Sequence, residues 1–389
     1  MMEQQKVIIA SDLQGELAAA MAECHADRTF VLVDETTERL CLPVVAGFGC
    51  MQGVQKIVIA AGDTSKTLES LAHVWSELQR MGATRHSLLV NLGGGMVTDL
   101  GGFAAATFKR GISCINIPTT LLAMVDASVG GKTGINFGGL KNEVGVFRNA
   151  SSVIIDTVFL QTMDHENLLS GYAEMLKHGL INLPASPSVA RESMLGQLLS
   201  FDLEQPDLVE LQRMVADSVA VKQRIVLEDP TEQGLRKALN LGHTIGHAFE
   251  SLALGAHPSA LTSPHSPLTS HLSPLISPHS PLTSQHSPVL HGYAVAWGLV
   301  CELYLSVVKT GFPAGTMRQV VNFIVGHYGR MPITCDDYPV LLELMTHDKK
   351  NVAGEINFSL LSDVGRLCLN QTATKKEIEE ALDFYREGQ

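Results

Sequence analysis

Five short apolar runs in roughly the first 160 residues each end on a polar residue or a glycine, and that rhythm leaves few folds open. They are Thr29–Val33 ending at Asp34, Lys56–Ala61 before Gly62-Asp63, Ser87–Leu92 before Gly93-Gly94-Gly95, Ser113–Ile117 before Pro118-Thr119-Thr120, and Ser152–Ile155 before Asp156. Apolar runs of this length separated by helical stretches read as strands of a buried parallel sheet. Such sheets bind ligands at the carboxyl ends of their strands, where the polar residues and glycines sit. After about residue 163 the texture turns helical, over Leu168–Leu180, Leu208–Ile225, Leu235–Leu254, Gly292–Val308, Met317–Val325 and Lys375–Tyr385. The 389 residues suit about two domains. The expectation is an α/β parallel-sheet N-terminal domain over residues 1–163, a helical C-terminal domain over 164–389, and a cleft between them.

One segment fits neither domain. Residues 256–290 are rich in Ser, Pro, His, Leu and Thr, and the octet Ser-Pro-His-Ser-Pro-Leu-Thr-Ser occurs at 263–270 and again at 277–284. Frequent prolines oppose helix and central strand, so the segment reads as a tandem expansion in a disordered surface loop. Its five histidines would lose much ordering entropy in holding a metal. The formal net charge of -12 argues against a general nucleic-acid binder. No apolar run reaches the ~20 residues of a membrane span, and the first residues lack a secretion signal. Seven scattered cysteines form no Cys-x-x-Cys pair. A cytoplasmic protein with reduced thiols is expected.

Five segments carry chemistry. Asn240-Leu-Gly-His-Thr-Ile-Gly-His247 places two imidazoles at i and i+4, on one face of a helix. His243 and His247 either pack there or aim at one metal; the residues between them lack the glutamate of a metalloprotease motif. Glu174 and Lys177, in Gly171-Tyr-Ala-Glu-Met-Leu-Lys-His178, share a helix face as a surface ion pair or as a metal ligand beside a substrate-binding lysine. His291-Gly292 supplies a further imidazole, and a Glu with two histidines leaves open positions on zinc. Asn91-Leu-Gly-Gly-Gly-Met-Val-Thr-Asp99 reads strand, glycine turn, helix, either a plain turn or a pyrophosphate seat, but it is not Gly-x-Gly-x-x-Gly. Residues 118–136 combine hydroxyls, Asp126, paired glycines and Lys132, with Lys141-Asn142 close behind. The spacing rejects a P-loop; Lys132, Lys141 and Asn142 either grip a phosphate or form a solvated basic surface.

Taken together, GGGMVTDLGGFAAATFKRG, IPTTLLAMVDASVGGKTGIN, GYAEMLKHG, GLRKALNLGHTIGH and HGYAVAWG, in this order, resemble the 3-dehydroquinate synthases of the sugar phosphate cyclase family. The resemblance covers nearly the whole chain outside 256–290. It implies a Rossmann-like N-terminal nucleotide domain, an all-α C-terminal domain, tightly bound NAD, one divalent metal (zinc or cobalt), a homodimer, and a small-molecule sugar phosphate substrate, with no nucleic-acid or membrane partner. It implies that Glu174, His243 and His291 bind the metal while His247 takes part in removing a proton from a substrate hydroxyl. Lys132, Asn142 and Lys349 or Lys350 would hold the phosphate, with Arg110 reaching across from the other subunit. Lys177, Lys222, Arg236 and Asn240 would contact the substrate carboxylate and hydroxyls, with Asp126 nearby; Lys132, Lys177, Asn240 and His247 are the residues implied in catalysis. Asp34, Asp63, Lys66, Gly94, Gly95, Asp99, Thr119, Thr120 and Lys141 would line the NAD site.

The chain departs from the family pattern at several places. Asp63 stands where Glu is usual beside the adenosine ribose, Thr36 where Asn is common, Leu140 where glycine precedes the lysine, and Tyr293 where Glu follows His-Gly. The repeat segment lengthens the stretch from His243 to His291, but loop closure costs only about 0.6 kcal/mol per doubling of length. The implied activity converts 3-deoxy-D-arabino-heptulosonate 7-phosphate to 3-dehydroquinate and phosphate, in the shikimate pathway. It proceeds by transient oxidation, phosphate elimination, reduction, ring opening and aldol closure. The rival readings are another sugar phosphate cyclase, disfavoured by Arg236, Lys222 and Asn240 as carboxylate contacts, a metal-dependent polyol or alcohol dehydrogenase of the same architecture, and a non-catalytic binding protein.

Overall fold

The computed structural model describes residues 5–138, 140–182, 190–255, 289–346 and 356–388. Residues 256–288 of the repeat segment, and Lys349 and Lys350, lie outside the described residues. The chain divides into two compact units, Met1–Leu239 and Asn240–Gln389. The first unit therefore runs past the expected boundary at 163/164. It does so because the helices His165–Ile181 and Leu208–Glu228 pack on the segment Ala123–Ala127.

Ten strands occur among the described residues: β1 Lys6–Ile9, β2 Thr29–Asp34, β3 Gln55–Ile59, β4 Leu88–Gly93, β5 Ser113–Pro118, β6 Lys132–Phe137, β7 Leu140–Phe147, β8 Ser152–Ile155, β9 Asn357–Asp363 and β10 Arg366–Thr372. Six form one sheet in the order β1-β8-β5-β4-β2-β3, and every pairing in it is parallel. Consecutive residues of β4 are all buried, as are nearly all of β2, so both faces of the central strands are covered. That is why these strands read as unbroken apolar runs rather than as alternating ones. Phe30, Leu32, Val33, Leu89, Val90 and Ile115 are at or near zero exposure and form the sheet's core. The edge strand β1 was not expected from the sequence; it is short and half-exposed. The antiparallel hairpin β6–β7 leaves Phe137, Val144, Val146 and Phe147 exposed.

The second unit is helical around His291–Thr310, with His243–Ala253, Ala314–Tyr328, Tyr338–Thr346 and Lys375–Glu387 about it. It also carries the antiparallel hairpin β9–β10, which adds strand to a domain expected to be all-α. The helix expected over Leu235–Leu254 is broken. A 3-10 segment, Leu235–Asn240, gives way to Gly242 in the left-handed region (φ 80°), and the helix proper starts at His243. A side chain at Gly242 would bring Cβ within 2.8 Å of Leu299 Cγ, so glycine serves both the turn and the close approach. Among the described residues, His291–Thr310, at 20 residues, passes for a membrane span by length and composition. Its most apolar window is 72% buried in the fold, as in a core helix, and the helix carries Glu302 and Lys309.

Candidate functional site

In the first unit the carboxyl ends of β4 and β5 lie side by side, with Gly93 in register with Pro118. The chain turns through Gly94 into the helix Gly95–Thr107, whose start has no side-chain cap. A Cβ on Gly93 would sit 2.6 Å from Val97 Cβ, and one on Gly94 3.1 Å from Thr120 Cγ2. An uncapped, glycine-lined helix start presents N–H groups and a positive dipole end to an anion. Thr119 is buried beside it, its N–H donating to Gly93 O at 3.0 Å. Thr120 Oγ1 accepts from Ala123 N–H at 3.2 Å. Lys66 is buried, and its Nζ donates to Asp99 Oδ2 and Asn142 Oδ1, both at 2.5 Å. Burial pushes the Asp99 carboxyl above its ordinary value, against the pull of the Lys66 ammonium. Asn142 is left-handed (φ 51°), and its N–H donates to Asn136 Oδ1 at 3.0 Å. Lys141 pairs with Asp63 at 3.2 Å, both well exposed. Asp34 is engaged locally: its Oδ1 accepts from Thr37 N–H at 2.7 Å and caps the helix Glu35–Leu40.

A second group of the same unit gathers on a π-helical turn, Ala123–Ala127. Lys222 Nζ donates to Asp126 Oδ1 at 2.7 Å and to the Asp126 carbonyl. Burial alone would raise the Asp126 carboxyl, but the Lys222 ammonium together with that of Lys177 outweighs it and holds the group below its ordinary value. Glu174 and Lys177, on the helix His165–Ile181, form a fully buried ion pair. The next residue, His178, is also fully buried, with Nδ1 2.7 Å from Ser218 Oγ. Burial, reinforced by the Lys177 ammonium, lowers His178 to about 3, so the ring is neutral. Ligand atoms of Asp126, Glu174 and His178 lie within 4.8 Å of one another. Arg236 is 2% exposed; its guanidinium donates to Pro230 O at 2.7 Å and Gly130 O at 3.1 Å and lies 5.7 Å from the Phe147 ring centroid. Lys132 opens β6 half-exposed, its Nζ 2.5 Å from Glu232 Oε2. Arg110 is exposed and left-handed (φ 67°), between Lys109 (φ 48°) and Gly111 (φ 116°).

In the second unit three imidazoles converge. The His243 ring lies 5.3 Å from His247 and 5.3 Å from His291, and His247 lies 5.9 Å from His291, centroid to centroid. His243 and His291 each open a helix. His243 Nδ1–H donates to Leu241 O at 3.2 Å, and His291 Nδ1–H donates to Glu250 Oε2 at 3.3 Å. A carbonyl or carboxylate oxygen only accepts, so in both rings the contact is made by an Nδ1–H. A neutral imidazole with its hydrogen on Nδ1 carries its lone pair on Nε2, the kind of donor that suits a divalent metal. Ligand atoms of His247, Glu250 and His291 also lie within 4.8 Å of one another. Asn240, half-buried, closes the 3-10 segment that leads into these histidines.

Four residues of these sites were not singled out from the sequence. Glu250 is three residues past His247 and so shares its helix face, a readable spacing. Glu302, which accepts from Gly242 N–H just before His243, is a lone acid in the apolar run Gly-Leu-Val-Cys-Glu-Leu-Tyr-Leu, which is itself a signal. His178 adjoins Lys177, yet nothing local marks its burial. Glu232 meets Lys132 across 100 residues and leaves no trace in the sequence.

Residues 56–170 match the 3-dehydroquinate synthase N-terminal domain, and residues 171–262 and 282–351 match the 3-dehydroquinate synthase C-terminal domain. The C-terminal match passes over residues 263–281, inside the repeat segment. A 3-dehydroquinate synthase from Parabacteroides distasonis is 50% identical over 388 residues, which is 100% of this chain and 99% of that protein. Among solved structures, a 2-epi-5-epi-valiolone synthase from Streptomyces hygroscopicus with NAD+ and Zn2+ bound has a TM-score of 0.78 at 24% identity, covering 100% of this chain and 98% of its own. A 2-deoxy-scyllo-inosose synthase complexed with carbaglucose-6-phosphate, NAD+ and Co2+ has a TM-score of 0.77 at 20% identity, covering 98% of this chain and 96% of its own. Those two likenesses speak to the fold; the domain matches and the full-length identity reach further, and by them this chain belongs to the 3-dehydroquinate synthase family.

Proposed function

We propose that this phosphate-eliminating cyclase uses NAD and one divalent metal, zinc or cobalt, to convert 3-deoxy-D-arabino-heptulosonate 7-phosphate to 3-dehydroquinate and phosphate. The single observation that carries the metal reading is the convergence of His243, His247 and His291, with both helix-opening rings tied through Nδ1. Glu174, His243 and His291 are the ligands in this reading. When bound, the metal supplies Lewis acidity toward substrate hydroxyls. The nicotinamide supplies a hydride acceptor that returns what it takes, so NAD is not consumed.

The chain's own residues do the rest. The uncapped start of Gly95–Thr107, with Gly94, Thr119 and Thr120, receives the dinucleotide pyrophosphate, and Lys66 and Asp99 flank it. Asp34, Asp63 and Lys141 serve the nucleotide's outer parts. Lys132 and Asn142, with Lys349 or Lys350, hold the substrate phosphate through charge-assisted bonds. Arg236, Lys222, Lys177 and Asn240 orient the carboxylate and hydroxyls, and Asp126 fixes Lys222. His247 takes the hydroxyl proton on a ring nitrogen. The enzyme works in the cytoplasm as a homodimer, in which Arg110 serves the second subunit's site.

Inorganic phosphate release from the heptulosonate phosphate tests this reading. The expected outcome is stoichiometric phosphate without net NADH, stopped by a chelator and restored by Co2+ or Zn2+. NADH accumulating without phosphate release would instead make the chain a dehydrogenase.

A further inference from the structure

The helices His243–Ala253 and His291–Thr310 approach until their backbones almost touch. A Cβ on Gly298 would fall 2.0 Å from Gly242 O, and one on Gly246 would fall 2.8 Å from Ala294 O. Across this contact each helix lends a buried acid to the start of the other. Glu250, on the first helix and 6% exposed, accepts at Oε2 from His291 Nδ1–H at 3.3 Å. Glu302, on the second helix and 0% exposed, accepts at Oε2 from Gly242 N–H at 2.7 Å and at Oε1 from Ile245 N–H at 3.2 Å.

Gly242 has no side chain with which to cap the helix it precedes, so Glu302 supplies that cap from the other helix. Its charge also meets the positive end of the helix dipole. A buried carboxylate is costly, and well-packed apolar residues would hold two helices together at least as well. What an apolar residue cannot do is fix which ring nitrogen carries the proton and where the ring points.

We propose that the two acids form a reciprocal brace: Glu250 is a positioning residue for His291, and Glu302 is a positioning residue for His243. Glu250 holds the His291 ring through its Nδ1–H, and Glu302 ties down the backbone on both sides of His243 through the Gly242 and Ile245 amides, so that the two rings keep the separation a metal requires. It rests on the reading that His243 and His291 are metal ligands, and it goes beyond that reading by naming what aims them.

The test uses the full-length apo-protein titrated with Co2+ alone, followed by its visible absorption and by chelator competition, with thermal unfolding of the apo-protein alongside. Glu250→Ala is expected to weaken Co2+ binding about 10–100-fold. Glu250→Gln is expected to weaken it less, because an amide oxygen still accepts from Nδ1–H, and to leave the apo-protein's melting temperature near the parent's. Glu302→Gln is expected to weaken Co2+ binding in the same direction and to speed hydrogen exchange at the Gly242 and Ile245 amides. Parent-like Co2+ affinity in Glu250→Ala and Glu302→Gln overturns the brace. So does loss of binding in Glu250→Gln as complete as in His291→Ala, which would make Glu250 itself a ligand. A Glu250→Gln melting temperature that falls in step with affinity reduces the role to packing and overturns the brace as well. His291→Ala binding Co2+ like the parent refutes the ligand reading instead, a result distinct from the others.

Discussion

In the first unit the cations arrive with their carboxylates attached, whereas in the second the candidate metal donors are imidazoles, one with a carbonyl and one with a carboxylate behind it. Lys66 lies on Asp99, Lys222 on Asp126, Lys177 on Glu174 and Lys132 on Glu232. His243 and His291 lean on a carbonyl and on Glu250. On the proposed reading, the difference follows from what each region receives. A sugar phosphate and a dinucleotide are anions, and lysines awaiting them in a buried setting need a counter-charge meanwhile. A metal cation needs lone pairs, and imidazole offers one without a charge to bury. The first unit is thus poised by charge balance, the second by tautomer and ring direction.

The sharpest way to break this contrast is to remove a counter-charge from the first unit. Lys222→Met leaves Asp126 without its ammonium in a pair whose side chains are 7% and 29% exposed. The expected loss of unfolding free energy is about 3 kcal/mol, read from urea denaturation, with Asp126→Asn added to it recovering part of the loss. A loss under about 1 kcal/mol would place the pair among ordinary surface bridges and would sink the charge-balance account of this unit.

A pH-dependent effect separates His178 from the imidazoles of the second unit. Burial lowers its pKa from 6.5 to about 3 in the folded chain, so the unfolded chain binds the proton first as pH falls. Stability is therefore complete above about pH 6.5, declines as pH drops toward 3, and gains no further slope from this residue below that. The slope from one such group is at most about 1.4 kcal/mol per pH unit. His178→Gln is expected to flatten the acid limb of a urea-midpoint profile between those values. An unchanged slope would mean that the ring is protonated in the fold.

The strand-and-turn rhythm of the first unit was legible because a parallel sheet covered on both faces writes itself as apolar runs with polar ends. Strand β1, Lys6–Ile9, escaped because an edge strand of four residues has too little burial to set a pattern. The break at Gly242 escaped because apolar spacing runs straight through Leu239, Leu241 and Ile245; only the tertiary approach of Leu299 shows why the glycine turns left-handed there. The hairpin β9–β10 escaped because β9 buries four residues in a row, Phe358–Leu361, while β10 mixes half-buried and exposed positions, so neither strand shows a clean alternation. For the sites, spacing within one helix carried far: His243 with His247, and Glu174 with Lys177. Partners fixed by the fold were beyond reach. Gly242 and Glu302 are 60 residues apart, and Glu250 and His291 are 41 apart, with the repeat segment between them.

The finest test concerns the most exposed of the four lysine pairs. Lys132 and Glu232 are 54% and 24% exposed at 2.5 Å, so solvent and salt screen them and their contribution to stability is below about 1 kcal/mol. Glu232→Gln should hardly move the urea midpoint. It should matter to ligands instead. If Lys132 holds phosphate, Glu232 occupies the ammonium until the anion displaces it, and the glutamine variant lowers that competition. Inorganic phosphate should then inhibit Glu232→Gln several-fold more tightly than the parent at low ionic strength, with the gap closing as salt is added, while Lys132→Ala loses the inhibition. Weaker phosphate inhibition in Glu232→Gln would mean that the carboxylate orients Lys132 for the anion rather than standing in for it. The contrast between a charge-balanced unit and a ring-aimed unit would then narrow, since an acid would be aiming a cation in the first unit as Glu250 aims His291 in the second.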